Sequence, residues 1–330
     1  MKPKYFLFFI ILLSLVQNCL AQQAQDSNYI RPFTKSNDLE WYTGRYNTVF
    51  NFKPNNNDSY LSHHDLKANT SAYIGMHIDY KWLAVDVSTS LPRTFVDNNI
   101  KGRKAHSLQL SKTGSKLRIE GLYEKYNALV MPISRRHQEY QVFNNFGYAN
   151  YSAQLTYIFN SKRFSLPAAI NYGEQQVKSA GSFLFNFNPT IHQFAQNNNP
   201  GLKLTPSDSL LNHAISNHSG WMNTFFNGGY TYNFVWNKGH WSLNPWIMGG
   251  LGVQKELADE TKNSGKLTYN FRGMISSGYN GTLFYIYLNT LYNKTESRLP
   301  ASKLTVRNSD TYLTMGYRFG NAPHKIMGLL

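Results

Sequence analysis

Apolar and polar residues alternate one for one along segments of about ten residues, from Trp41 through to Phe319. The segments come in pairs: short turns join the partners, and much longer polar stretches separate one pair from the next. Side chains of a strand point alternately to two faces, so this period marks strands with one greasy and one wet surface. In 69–80, Ala72, Ile74, Met76, Ile78 and Tyr80 share one face, while Ser71, Tyr73, His77 and Asp79 share the other. In 82–89, Leu83, Val85 and Val87 oppose Trp82, Asp86 and Ser88. The segment 148–159 sets Tyr151, Ala153, Leu155, Tyr157 and Phe159 against Asn150, Ser152, Gln154 and Thr156. Near the C-terminus Leu313, Met315, Tyr317 and Phe319 oppose Thr314 and Arg318.

The pattern predicts strands over 41–53, 69–80, 82–90, 105–112, 116–124, 147–159, 163–173, 221–235, 241–255, 266–279, 282–293 and 309–319. Short connections fall at Lys81, Lys112–Ser115, Asn160–Lys162, Trp236–His240 and Asn280-Gly281, the last a tight-turn dipeptide that readily takes positive φ. Long ones fall at 54–68, 91–104, 125–146, 174–220, 256–265 and 294–308. A further alternating stretch, Phe183–Asn188, would break the even count, so it is assigned to the 174–220 loop, as a rim extension or folded inward; a 14-strand count would need one more strand from that loop. Aromatics gather beside the short turns: Tyr80 and Trp82, Tyr157 and Phe159, Trp236 and Trp241, Tyr279 and Phe284, Tyr317 and Phe319. An even number of two-faced strands, short turns at one end, long loops at the other and an aromatic ring at one height together predict a transmembrane antiparallel up-and-down β-barrel of about 12 strands. Its short turns would be periplasmic and its long loops extracellular. A secreted β-sandwich also alternates, but it needs neither the aromatic ring nor the division of connections by length.

The N-terminus fits that location. Lys2 and Lys4 precede an apolar run from Phe6 to Val16, and Cys19-Leu20-Ala21 offers the small residues of a cleavage site. The organisation is then a signal peptide at 1–21, a polar leader at 22–40, the barrel at 41–320 and a tail at 321–330. Gln17-Asn18 do not suit a lipidation site at Cys19. Cys19 is the chain's single cysteine, so cleavage after Ala21 leaves no thiol for disulfides or metal ligation. No later run is long and apolar enough for a spanning helix.

Charge adds a partner class. The formal charge is +15, or +13 without the two signal lysines (15 − 2). Such an excess favours anionic partners: outer-membrane lipids, lipopolysaccharide among them. Location argues against nucleic acid. The barrel-assembly machinery would handle insertion, and oligomeric state stays open. No cofactor is expected. His63-His64-Asp65 and His106 lack a metal-ligand spacing.

Sorting charges by face puts Asp79, Asp86, Glu120 and Glu124 inside, with Arg118, Lys266, Arg272 and Arg318 opposing them. These roughly cancel, which predicts a salt-bridged interior. The positive surplus falls in turns and loops, at Lys101, Arg103, Lys104, Arg135, Arg136 and Lys178, where arginine suits lipopolysaccharide phosphates. Lys178-Ser179-Ala180-Gly181-Ser182-Phe183 is small enough for close backbone approach, so Lys178, Ser179 and Ser182 are candidates for a lumen constriction, alongside a tight loop base. His213, Ser216 and Ser219, with Asn217 and His218 between them, contain the residue types of a hydrolase site. Three functions follow: a non-enzymatic narrow channel or structural component, which leads; an outer-membrane lipid hydrolase of phospholipase or lipopolysaccharide deacylase type; and an adhesion or assembly partner acting through 125–146 and 174–220.

Several segments resemble an uncharacterised family of outer-membrane barrels, domain of unknown function 4421. They are Asp26-Ser27-Asn28-Tyr29-Ile30, Tyr80-Lys81-Trp82-Leu83, Asn160-Ser161-Lys162-Arg163-Phe164-Ser165, Ala168-Ala169 and Gln176-Val177-Lys178-Ser179-Ala180-Gly181-Ser182-Phe183. The resemblance implies a barrel and its location, and carries no activity. Val177 stands where the family pattern has a second lysine.

Overall fold

The computed structural model describes residues 25–54, 65–69, 72–80, 83–91, 94, 105–126, 129–134, 139–143, 146–196, 220–257, 265–299 and 302–320. In chain order they form β1 (Ile30–Pro32), β2 (Asn37–Pro54), β3 (Asp65–Ala68), β4 (Ala72–Tyr80), β5 (Leu83–Ser90), β6 (His106–Thr113), β7 (Leu117–Tyr126), β8 (Leu129–Ser134) and β9 (Glu139–Phe143). Then come β10 (Phe146–Ile158), helix α1 (Leu166–Ile170), β11 (Glu174–Gln176), β12 (Ala180–Gln196), β13 (Gly220–Trp236), β14 (Trp241–Glu256), β15 (Lys266–Asn280), β16 (Phe284–Arg298) and β17 (Ser302–Phe319).

Twelve of these strands make the wall, each antiparallel to its neighbours, in the order β2-β4-β5-β6-β7-β10-β12-β13-β14-β15-β16-β17. The ring closes where β17 pairs with β2 from Asn37↔Phe319 to Pro54↔Ser302. Closure leaves the wall no unpaired edge, as a sheet surrounded by hydrocarbon requires. The outer face is apolar: Ile247 is 55% exposed, Leu251 61% and Phe284 64%. Their strand neighbours Ser242, Asn244 and Asn289 are buried inside. Tyr157, Phe159, Trp236, Trp241, Tyr279, Phe284 and Tyr317 stand exposed beside the short turns, as the girdle reading expects. Tyr80 instead is buried, stacked on Phe319 at 6.3 Å; Trp82 lies outside the described residues.

The strand count agrees with the sequence pattern, but its membership does not. Residues 163–173 are not a strand. Ser165 caps a short helix by accepting from the Ala168 N–H (3.0 Å), and Pro167 sits in the first turn, where its missing N–H costs nothing. The missing wall strand is β12, which contains the Phe183–Asn188 stretch assigned to a loop; it pairs with β10 and β13 along its length. The first wall strand also starts earlier than 41, at Asn37.

Asn280-Gly281 does not form the left-handed dipeptide turn. Neither residue has positive φ, and Asn280 still pairs with Tyr285. Its side chain is committed elsewhere, donating to the Glu174 carbonyl (2.9 Å) and accepting from Arg318 (2.7 Å). The left-handed turn is instead at Asn237-Lys238-Gly239, with φ of 50, 58 and 88°.

At the loop end, β2 outruns β4. Its exposed edge is taken over by β3 through Val49–Asn51, and β3 continues into β8 and β9. Part of the predicted 125–146 loop is therefore sheet.

Candidate functional site

Both ends of the lumen are obstructed. At the turn end, residues 159–179 do not form a simple hairpin connection but fold inward as a plug. Leu166 and Ala169 pack with Ile158, Phe164, Leu184 and Met248. The carbonyl of Ile170 accepts from Asn289 (3.3 Å), an inward residue of β16. Tyr172 is fully buried, stacked nearly parallel on Tyr287 (4.8 Å) and Tyr285 (6.3 Å), and its hydroxyl accepts from Ser242 (2.9 Å). Its φ of 58° costs about 1–2 kcal/mol for a residue with a Cβ, so the ring's contacts must hold it there.

Two elements clamp this plug, and one of its own residues ties it together. Arg318 of β17, buried, donates to the Tyr172 and Gly281 carbonyls and to Asn280 Oδ1, with its guanidinium over the rings of Phe33 (3.7 Å) and Tyr285 (4.2 Å). The leader adds β1, which pairs with β11 from Ile30↔Gln176 to Pro32↔Glu174. Gln176 binds the parts together: its amide donates to the carbonyls of Arg163 (2.6 Å), Lys178 (2.8 Å) and Tyr29 (3.3 Å), and its oxygen accepts from the Ser165 N–H (2.9 Å). The segments that carry the family resemblance at 26–30, 160–165, 168–169 and 176–183 thus meet in one place.

At the loop end, rings from opposite walls touch. Phe50 of β2 lies 4.8 Å from Tyr148 and 5.8 Å from Phe194 of β12, which stands six strands away in a ring of twelve. Leu129, Met131 and Phe143 from β8 and β9 join them, with Trp221, Leu299 and Leu304, in a single buried apolar cluster. Burying such a cluster inside a polar barrel excludes water from this section of the lumen.

Between the plug and this loop-end cluster, which caps the lumen, lies a cavity of about 380 Å³. Glu40, Asp86, Glu120, Glu124 and Asp310 face it, opposed by Arg118 and Arg272. Most of the carboxylates are met by tyrosines: Tyr42 donates to Asp86 (2.6 Å), Tyr73 to both oxygens of Asp310 (2.8 Å each), and Tyr285 and Tyr287 to Glu40 (2.7 and 3.0 Å). Glycines make room for these rings. A Cβ on Gly75 would lie 2.0 Å from the Tyr42 ring, and one on Gly316 would lie 2.1 Å from that of Tyr285.

Of the sequence candidates, Asp86, Arg118, Glu120, Glu124 and Arg272 line the cavity. Arg118 is paired with Glu120 (Nε to Oε2 3.0 Å), and Arg272 donates to Gln154 and lies over Trp246 (5.5 Å). Asp79 is on the wall nearer the short turns, two residues from His77. Lys266 pairs with Glu256 (2.8 Å). Lys178 is at the turn end, not the outer rim, with Nζ 5.5 Å from the Tyr29 ring centre. Ser179 and Ser182 cap backbone groups at the plug's exit: Ser179 Oγ accepts from Val235 N–H (2.9 Å), and Ser182 Oγ accepts from Asn160 N–H (2.9 Å). The interior charges do not cancel as expected, because Glu40 and Asp310 add to the acidic side. The alternation Asp38, Glu40, Tyr42 against Leu39 and Trp41 carries that signal in the sequence. His213, Ser216, Ser219, His63 and His64 lie outside the described residues, as do Lys101, Arg103, Lys104, Arg135 and Arg136. Asp65 pairs with Arg307 (3.0 Å). No group of three metal-ligating side chains exists among the described residues.

A closed antiparallel barrel with a greasy exterior and a polar, obstructed interior defines a membrane-spanning β-barrel protein. Its sequence matches, over residues 24–319, the family described as Domain of unknown function (DUF4421), and the chain belongs to that family. No curated protein matches it. Similar solved structures include the β domain of the Bordetella autotransporter BrkA (10% identity, 86% of this chain and 100% of that one, TM-score 0.42). An outer membrane channel from Pseudomonas putida F1 is similar at 9% identity, 90% and 100% coverage and a TM-score of 0.37. The outer membrane protease OmpT from Escherichia coli is similar at 10% identity, 89% and 100% coverage and a TM-score of 0.31. These likenesses are to barrels as such.

Proposed function

We propose that this is an exported outer-membrane protein whose barrel stands closed, a non-enzymatic structural component rather than an open channel. The supporting observation is the contact of Phe50 with Phe194 across the full width of the barrel, in series with a plug held by Arg318. An ion crossing the lumen would have to part those rings and dislodge buried hydrogen bonds at the other end. The greasy belt addresses the protein to lipid, with the short turns toward the periplasm. Insertion falls to the barrel-assembly machinery, and the basic loop residues suit lipopolysaccharide phosphates. The test is conductance of the purified protein in planar bilayers. No steady current is expected; a stable ohmic current from the intact protein overturns the closed reading.

A further inference from the structure

We propose that the cavity between plug and cap is a binding site for an elongated organic cation of the polyamine class. This goes beyond the closed-barrel reading, which concerns permeation and is tested by conductance.

The first argument is charge. Asp86, Glu124 and Asp310 face the cavity, and their hydrogen bonds come from neutral donors: Tyr42, Asn150 (3.2 Å) and Tyr73 respectively. The imidazole of His77 lies 3.8 Å from Asp86. Arg118 is paired with Glu120, and Arg272, held by Gln154 and the Trp246 ring, is a single positive charge facing the four remaining carboxylates, Glu40, Asp86, Glu124 and Asp310. Hydroxyl and amide donors orient a carboxylate but do not balance the cost of burying its charge, which a bound cation would offset, so the cavity favours a cation.

The second argument is orphaned acceptors. Asn289 is 2% exposed and Asn270 5%, and both line the cavity. Asn289 spends its amide donors on the Ile170 carbonyl and Tyr312 hydroxyl, and Asn270 spends its own on Asn293 and Thr295. That fixes both amide orientations and leaves both Oδ1 atoms buried without a partner. A buried acceptor calls for a donor.

The shape of the ligand follows from spacing. No three carboxylates or imidazoles converge closely enough among the described residues to hold a metal ion. The negative charges are instead distributed around a cavity walled in part by tyrosine rings. A ligand with several N–H⁺ groups separated by methylenes matches that distribution: ammonium groups meet carboxylates and amide oxygens, and methylenes lie on the rings.

Refolding from denaturant into detergent in the presence of spermidine loads the cavity without requiring an open path. After desalting, about one spermidine per heat-modifiable, folded barrel is expected to remain, and to leave on thermal unfolding. Propylamine, with one charge, should be retained at least tenfold less. Glu124→Gln with Asp310→Asn should lower spermidine retention at least tenfold, whereas Glu256→Gln, outside the cavity, should leave it unchanged. Absence of retained spermidine, equal retention of propylamine, or full displacement by magnesium overturns the proposal. All three outcomes need only the unaltered protein, so a variant that fails to fold does not shield the idea.

Discussion

The guanidinium of Arg318, near the end of the last wall strand, donates to the backbone carbonyl of Tyr172, 146 residues earlier in the chain. The bond ties the strand that closes the barrel to the plug inside it. Hydrogen bonds from a charged donor contribute about 1.5–3 kcal/mol each. Arg318→Ala, which removes several together, should therefore lower stability by about 3 kcal/mol or more. Urea unfolding followed by loss of heat-modifiable mobility measures this. Release of the plug should also expose a cysteine placed at Ala169, in a Cys19→Ser background, to a membrane-impermeant maleimide. Unchanged labelling would mean that Arg318 does not clamp the plug.

A glycine opposite a ring gives a second test. Gly316→Ala would drive a methyl into the Tyr285 ring and move its hydroxyl from Glu40. Overpacking of this kind costs about 1–3 kcal/mol. Gly273→Ala, whose Cβ meets nothing closer than the Trp246 carbonyl at 3.8 Å, should cost far less. Equal unfolding midpoints for the two variants would contradict the packing.

The two obstructions act in series, so neither alone should set the current. Phe50→Ala with Phe194→Ala should leave bilayers silent while the plug is seated, and Arg318→Ala should leave them silent while the rings meet. Combining all three should produce steps of current. Steady conductance from the ring variant alone would show that the plug does not seal the turn end.

The outer belt makes a fourth prediction. Ile247 faces outward at mid-strand on β14 and is 55% exposed. An arginine there should destabilise the inserted barrel by about 2–4 kcal/mol, the usual cost at the bilayer midplane. Refolding yield into lipid vesicles and the urea midpoint report it. A neutral effect would place this surface outside hydrocarbon.

The wall was legible in the sequence because a period of two is local: each strand announces its faces without reference to its neighbours. The plug was not. Its residues touch protein on most sides, so Arg163–Gly173 show an apolar mixture that passes for a strand. The helix-start signal was nevertheless present, in Ser165 followed by Pro167. Counting that stretch as wall displaced Phe183–Asn188, whose own alternation was sound. The acidic cavity was partly readable, through Asp86, Glu120 and Glu124. Glu40 falls at the end of the polar leader at 22–40, and Asp310, although inside 309–319 and on the face of Thr314 and Arg318, precedes the alternating run 313–319 that marks the faces there. Tyr172 carries no pattern at all, since its role comes from a stack with rings more than a hundred positions away.

The pairing of β1 with β11 bears on closure. A stretch that precedes every stave of the cask is clasped to the stopper, and the final stave carries the latch. The staves on either side of the seam are thus both fastened to the stopper, so loosening it tugs at the seam as well as at the end it fills.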